Sequence, residues 1–138
     1  IKSNRPTPVT VSDFEVVSTY TLDHSYVQTY TMADENKNSR KIGLAGSVLA
    51  LNPTSNKLVP NFTSYGFAAA GVLLQDADCG IPGDPHDAVV DMLWRGLVLE
   101  KRCWDNGVYG AVLSATKMAL QDRIIFVKRE SKGAQSYR

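Results

Sequence analysis

Four aspartates, Asp76, Asp78, Asp84 and Asp87, crowd into one short stretch with Gly80 and Gly83 among them. Carboxylate oxygens on a glycine-loosened turn are what a hard cation such as calcium requires. The opening Asp76-x-Asp78-x-Gly80 has that look. An EF-hand loop, however, needs its glycine one place later, a bidentate glutamate where Asp87 stands, and a helix leading in. The stretch 75–87 therefore reads as a polar surface turn, and no metal is expected. The two histidines, His24 and His86, fall on predicted loop or extended chain, where a lone imidazole is usually solvated. His86 next to Asp87 is the one polar pair that would suit acid–base work. No GxSxG, P-loop or HExxH pattern occurs, so neither catalysis nor a cofactor is expected. Cys79 and Cys103 are too few for a disulfide framework and form no CxxC. They read as free thiols, with a single bridge as the alternative.

Aromatic residues offer binding chemistry instead. Tyrosine supplies contact area together with a hydrogen-bonding tip, which makes Tyr20, Tyr26 and Tyr30 candidate contacts. Trp104, on a predicted loop between Cys103 and Asp105, and the nearby Tyr109 read as interface anchors. Trp94 lies in an apolar run and is expected in the core.

These residues need elements to hold them. The chain has 138 residues and a formal net charge of +1, enough for one domain with a modest core. Near-neutral charge argues against nucleic acid as a partner, since phosphate recognition needs a basic stripe. The basic end, Lys128, Arg129, Lys132 and Arg138, reads as a solvated tail. No apolar run approaches the roughly 20 residues of a membrane helix, and no apolar leader is visible.

Residues 1–40 read as an extended N-terminal arm. Pro6 and Pro8 fix the backbone and remove donors. Beyond them, β-favouring residues alternate, with Val9, Val11, Phe14, Val16, Tyr20, Leu22, Tyr26 and Tyr30 as candidate binding positions. Few long aliphatic side chains occur there, so the arm looks suited to pairing with another chain. Residues 41–130 read as the folded domain, in four parts. A glycine-entered strand over 43–51 turns at 52–56 into a short strand, making a hairpin. A strand rich in small residues covers 67–74. A long strand over 88–99 is kinked or bulged at Gly96. Last come a helix within 109–120, its face set by Val112, Thr116 and Ala119 with Leu113 and Leu120 beside it, and a closing strand at 124–127. Residues 131–138 form a polar tail. The order predicts a mainly β fold, a small sandwich or barrel with one short accessory helix.

The run Gly43-Leu-Ala-Gly-Ser-Val-Leu-Ala-Leu-Asn-Pro-Thr-Ser-Asn-Lys-Leu-Val-Pro60, then Ala68-Ala-Ala-Gly-Val-Leu-Leu-Gln-Asp76, resembles the lambda-type bacteriophage head-decoration proteins. That family shows an AGxVLALD…GKLVP hairpin and an AxGVLL-D strand. The similarity continues through 88–98 and 115–127 and covers roughly Lys41 to Lys128. Three features depart from it: the long arm, Asn52 in place of the common aspartate, and Arg95-Gly-Leu-Val without the family's His-Gly. The resemblance implies a β-tulip fold and a homotrimer that cements the outer surface of a phage head. It also implies a major capsid protein as partner, held by the arm, and a virion location after synthesis in the host cytoplasm. Removing residues 1–34 is then expected to leave a folded domain that no longer binds heads. The alternative is another virion or cell-surface β-module that stacks a receptor or glycan on its tyrosines and Trp104.

Overall fold

The computed structural model describes residues 15–31 and 39–128. Strand β1 (Val16–Leu22) opens it, and β2 (Thr29–Thr31) pairs antiparallel with β3 (Ser39–Gly43). Next comes the hairpin of β4 (Val48–Asn52) and β5 (Lys57–Pro60). Its turn closes because the Asn52 side chain accepts from the Thr54 amide at 3.0 Å and Asn56 takes φ 61, a left-handed conformation that asparagine tolerates. Strand β6 (Ala68–Leu73) lies antiparallel to β4, and the long β10 (Ala88–Leu99) lies antiparallel to β6.

Strand β1 closes the circuit. It pairs antiparallel with β10 from Val16 to Leu22 and meets β5 through Leu22 and Leu58. The ring β1-β5-β4-β6-β10 is a closed five-stranded barrel, which removes the sheet edges that otherwise invite aggregation. Beyond Gly96, β10 leaves the ring and pairs in parallel with β13 (Ile124–Val127). The short helix α1 (Ser114–Leu120) packs on β6 and β13. The mainly β barrel with one helix is the fold class expected.

Side-chain alternation along β4, β6 and β10 builds two cores. Leu49, Leu73 and Met92 join Leu22, Leu58 and Cys79 in one. Val48, Val72 and Leu93 join Val98, Cys103, Leu120 and Ile124 in the other, which α1 and β13 cover. Successive strand residues face opposite ways, so these strands are buried on both faces. That is why they read as unbroken apolar runs and not as alternating ones. Gly71 has a specific task. A Cβ there would collide with the Leu93 carbonyl and the Met92 side chain, so the small residues of β6 let β10 approach, as expected.

Several expectations are corrected. Residues 16–22 are not part of an arm: β1 is a wall of the barrel, and Leu22 is fully buried. The weakly apolar composition of this segment misleads because its partner β10 brings the apolar mass. The single strand expected over 43–51 is two, β3 and β4, separated by a turn at Gly46 with φ 91. The bulge in β10 falls at Trp94, where Val16 faces Arg95 and Val17 faces Leu93. Trp94 is accordingly turned outward at 36% exposure and not into the core. The Arg123 guanidinium stacks 3.4 Å from its ring centroid. The helix is shorter than expected, since Val108–Tyr109 forms β12 against β11 (Trp104–Asp105). Thr116 and Leu120 are its buried stripe, while Ala119 is exposed. The 75–87 stretch contains three two-residue strands, β7 (Ala77–Asp78), β8 (Gly80–Ile81) and β9 (Asp84–Pro85).

Candidate functional site

The barrel end where β1 and β5 finish and β4 begins carries a concave groove of about 170 Å³. Its lining includes Tyr26, Tyr30, Pro60, Phe62, Tyr65 and Trp104. The chain after β1 turns through a short 3-10 helix at His24–Tyr26, capped by the Asp23 carboxylate accepting from the Ser25 amide, which carries Tyr26 to the rim. A second 3-10 turn at Thr63–Tyr65, ended by Gly66 at φ 77, aims Tyr65 at Tyr26. Their rings meet edge to face with centroids 5.2 Å apart, the geometry that aromatic quadrupoles favour. Phe62 lies 5.3 Å and Phe67 6.2 Å from Tyr65. Across the two-residue hairpin of β11 and β12, Trp104 sits 4.8 Å from Tyr109.

A buried polar knot fixes the floor beside this groove. The Asn61 side-chain amide donates to Asp105 Oδ1 at 2.8 Å and to Thr116 Oγ1 at 3.3 Å. Asp105 Oδ2 accepts from the Leu113 amide, and Asn106 Nδ2 donates to Asp105 Oδ1. Asn106 Oδ1 in turn accepts from the Thr63 amide at 2.8 Å. Buried polar groups satisfied in this way rigidify a site. Nearby, buried Glu100 accepts from Lys117 at 2.9 Å, Lys128 at 3.2 Å and the Val112 amide at 2.8 Å. Burial works to raise its carboxyl, but these donors together hold it below the ordinary glutamate range.

Of the residues singled out in the sequence, Tyr26, Tyr30 and Trp104 converge on the groove, with the Tyr109 ring tilted against Trp104. Leu22 does not, being core, and Tyr20 packs against the same core. Val16 is exposed at the far end of β1. Val9, Val11 and Phe14 lie outside the described residues. Phe62, Tyr65 and Phe67 were missed. The signal was present as Phe62-Thr-Ser-Tyr-Gly-Phe67, a loop too aromatic for a plain connection.

The aspartates of 75–87 scatter to separate structural duties. Asp76 accepts from the Ala45 amide at 2.7 Å. Asp78 is held low by Arg40 at 2.8 Å and by the Gly80 amide. Asp84 faces Ile81 in the small hairpin of β8 and β9. Asp87 is held low by Lys57 at 2.7 Å and by the His24 amide at 3.0 Å. Asp23, His24 and Asp87 do bring metal-ligating atoms within 4.8 Å of one another. The Lys57 ammonium already occupies Asp87 there, and a cation would meet its repulsion. His86 is exposed, its Nδ1 3.1 Å from the Asp87 carbonyl oxygen. Cys79 and Cys103 are both free and buried.

Exposed apolar side chains mark a second surface. Met118 and Ile125, with Phe126, line a shallow cleft of about 210 Å³ between α1 and β13. Among the described residues no helix is long and apolar enough to cross a membrane. A scan against protein-family models, a search of curated proteins and a search of solved structures each return no match for the chain.

Proposed function

We infer that the chain is a capsid-decoration protein, a trimer that binds the outside of a tailed-phage head and cements the expanded shell. One observation carries the reading. The segments that resemble the head-decoration family fold as one continuous body: the β4–β5 hairpin, β6, β10, α1 and β13. The order and spacing behind the resemblance thus correspond to neighbouring strands. The major capsid protein is the partner, and the virion surface the location. The deep polar features, around Asn61 and Glu100, are spent on structure, and the open features are apolar or aromatic surface. Such surface suits protein contact.

The shell-binding segment is narrower than the sequence suggests. With β1 committed to the barrel, the segment assigned to adding strands to a capsid protein is what precedes Val16. Backbone pairing needs few particular side chains, and three arms on one three-fold site raise the effective concentration of each. The experiment is electron microscopy of the protein mixed with empty expanded heads of its phage. Density at three-fold positions is the expected result. Bare heads at saturating protein, or a chain sedimenting as a 15.1 kDa monomer at every concentration, defeat the reading.

A further inference from the structure

The aromatic groove has the chemistry of a site for proline-containing chain. Tyr26, Tyr30, Tyr65 and Trp104 line the groove, with Tyr26 and Tyr65 edge to face, and aromatic rings are surfaces on which a pyrrolidine packs. Grooves of this kind dock extended, left-handed polyproline segments, whose backbone carries carbonyls without internal hydrogen bonds. The groove supplies the matching donors. Among the described residues nothing accepts from the Trp104 indole N–H or from the hydroxyls of Tyr26, Tyr30 and Tyr65. A sugar would ask for more. It calls for amide and carboxylate side chains beside hydroxyls, and the nearby Asn61, Asp105 and Asn106 side chains are engaged with one another. A segment poor in N–H and rich in carbonyls suits the imbalance.

The chain itself contains such a segment, Arg5-Pro6-Thr7-Pro8. Each proline lacks an N–H, and each holds the residue before it extended. The topology says whose groove it fills. Strand β1 runs parallel to β5 and ends at the groove, so Val16 lies at the other end, about 20 Å away along the strand. Pro8 precedes Val16 by eight residues, a reach of at most about 28 Å fully stretched. Filling its own groove would demand a reversal at Val16 and a return of about 20 Å along the barrel wall. A neighbouring copy can present its groove without either. We propose that the groove binds the proline segment, residues 5–8, of a second copy of this chain. This rests on the self-association in the proposed function but not on head binding.

Substituting Trp94→Phe leaves Trp104 as the only tryptophan of the full chain. Its emission is expected to shift to the blue, saturably, as protein concentration rises. Adding Pro6→Ala and Pro8→Ala is expected to move the midpoint at least about tenfold higher, equivalent to about 1.4 kcal/mol. A synthetic peptide of residues 1–14, titrated into that proline-less chain, is expected to restore the shift. Tyr65→Phe, which removes a donor and keeps the ring, is expected to weaken it. An unchanged midpoint without the prolines overturns the proposal. So does a blue emission independent of concentration, which means a segment docked in its own chain. A shift caused by an oligosaccharide such as maltoheptaose, and not by the peptide, overturns it in favour of glycan binding. Head binding measured on the same variants separates the two ideas, since docking can be lost while shell attachment remains.

Discussion

Glu100 shows how a single side chain is held in this fold. It is buried beside Cys103 at the foot of the second core, and its carboxylate ties α1, the strand end at Lys128 and the approach to the helix together. Removing its charge leaves Lys117 and the Val112 amide with a poorer acceptor. Glu100→Gln is expected to lower stability by about 2 kcal/mol at neutral pH. Because the folded carboxyl sits below its unfolded value, its contribution is complete above the unfolded pKa. It is lost as pH falls through the folded one. The gap in urea midpoint between wild type and Glu100→Gln should therefore be widest near pH 7 and shrink below pH 4. A gap that persists at pH 3 would show that packing, and not charge, is what Gln lacks. The same pocket governs Cys103. Burial first, then the charges of Glu100 and Asp105, push its thiol up to about 12, and burial raises Cys79 as well. Thiolate is the reactive form, so iodoacetamide at pH 8 should label neither cysteine until denaturant unfolds the chain. Labelling of native protein would mean that a core opens, the first if Cys79 reacts and the second if Cys103 does.

Among the elements, β6 and β10 set the spacing of the barrel. The contact is close enough at Gly71 that one methyl group has no room. Gly71→Ala should cost at least about 2 kcal/mol through overpacking, whereas Gly83→Ala, with open space around its Cα, should cost far less. Thermal unfolding of the pair checks this, and equal melting temperatures would contradict the packing described. The hairpin, β6, β10 and β13 were legible because their apolar runs are long and bounded by turn residues. The start of the barrel was not. The Val-Val-Ser-Thr-Tyr-Thr-Leu of β1 has one fully buried residue, Leu22, and draws its stability from cross-strand pairing with β10, which no local pattern announces. Trp94 was misplaced for a related reason. A bulge shifts the alternation by one residue, and the hydrophobic pattern around it cannot show on which residue the extra step falls. At the groove, Trp104, Tyr26 and Tyr30 were visible one by one as exposed aromatic residues. Their convergence depends on long-range features, the parallel contact of β1 with β5 and the packing of Tyr65 on Tyr26.

For the molecule as a whole, the corrected place of β1 separates the barrel from the segment proposed to bind the shell. Removing residues 1–14 keeps every strand of the barrel among the described residues, the first of which begins at Val16. Removing residues 1–34 takes β1 and β2 as well. It opens the ring between β5 and β10, exposing the core around Leu22, Leu58 and Met92. Loss of the Leu22 side chain alone would cost about 2–5 kcal/mol, much of the 5–15 kcal/mol that a domain has. The shorter deletion should therefore melt cooperatively within a few degrees of the full chain and fail to decorate expanded heads. The longer one should be unfolded or aggregated. Circular dichroism with a head-pelleting assay reads both properties from the same samples. A 1–14 deletion that pellets with heads as tightly as the full chain would move the shell contact onto the barrel. Its exposed Met118–Ile125 surface would then be the first place to substitute. A folded, soluble 1–34 deletion would mean that β10 does not need β1, and that residues 16–22 are free to serve as the arm after all.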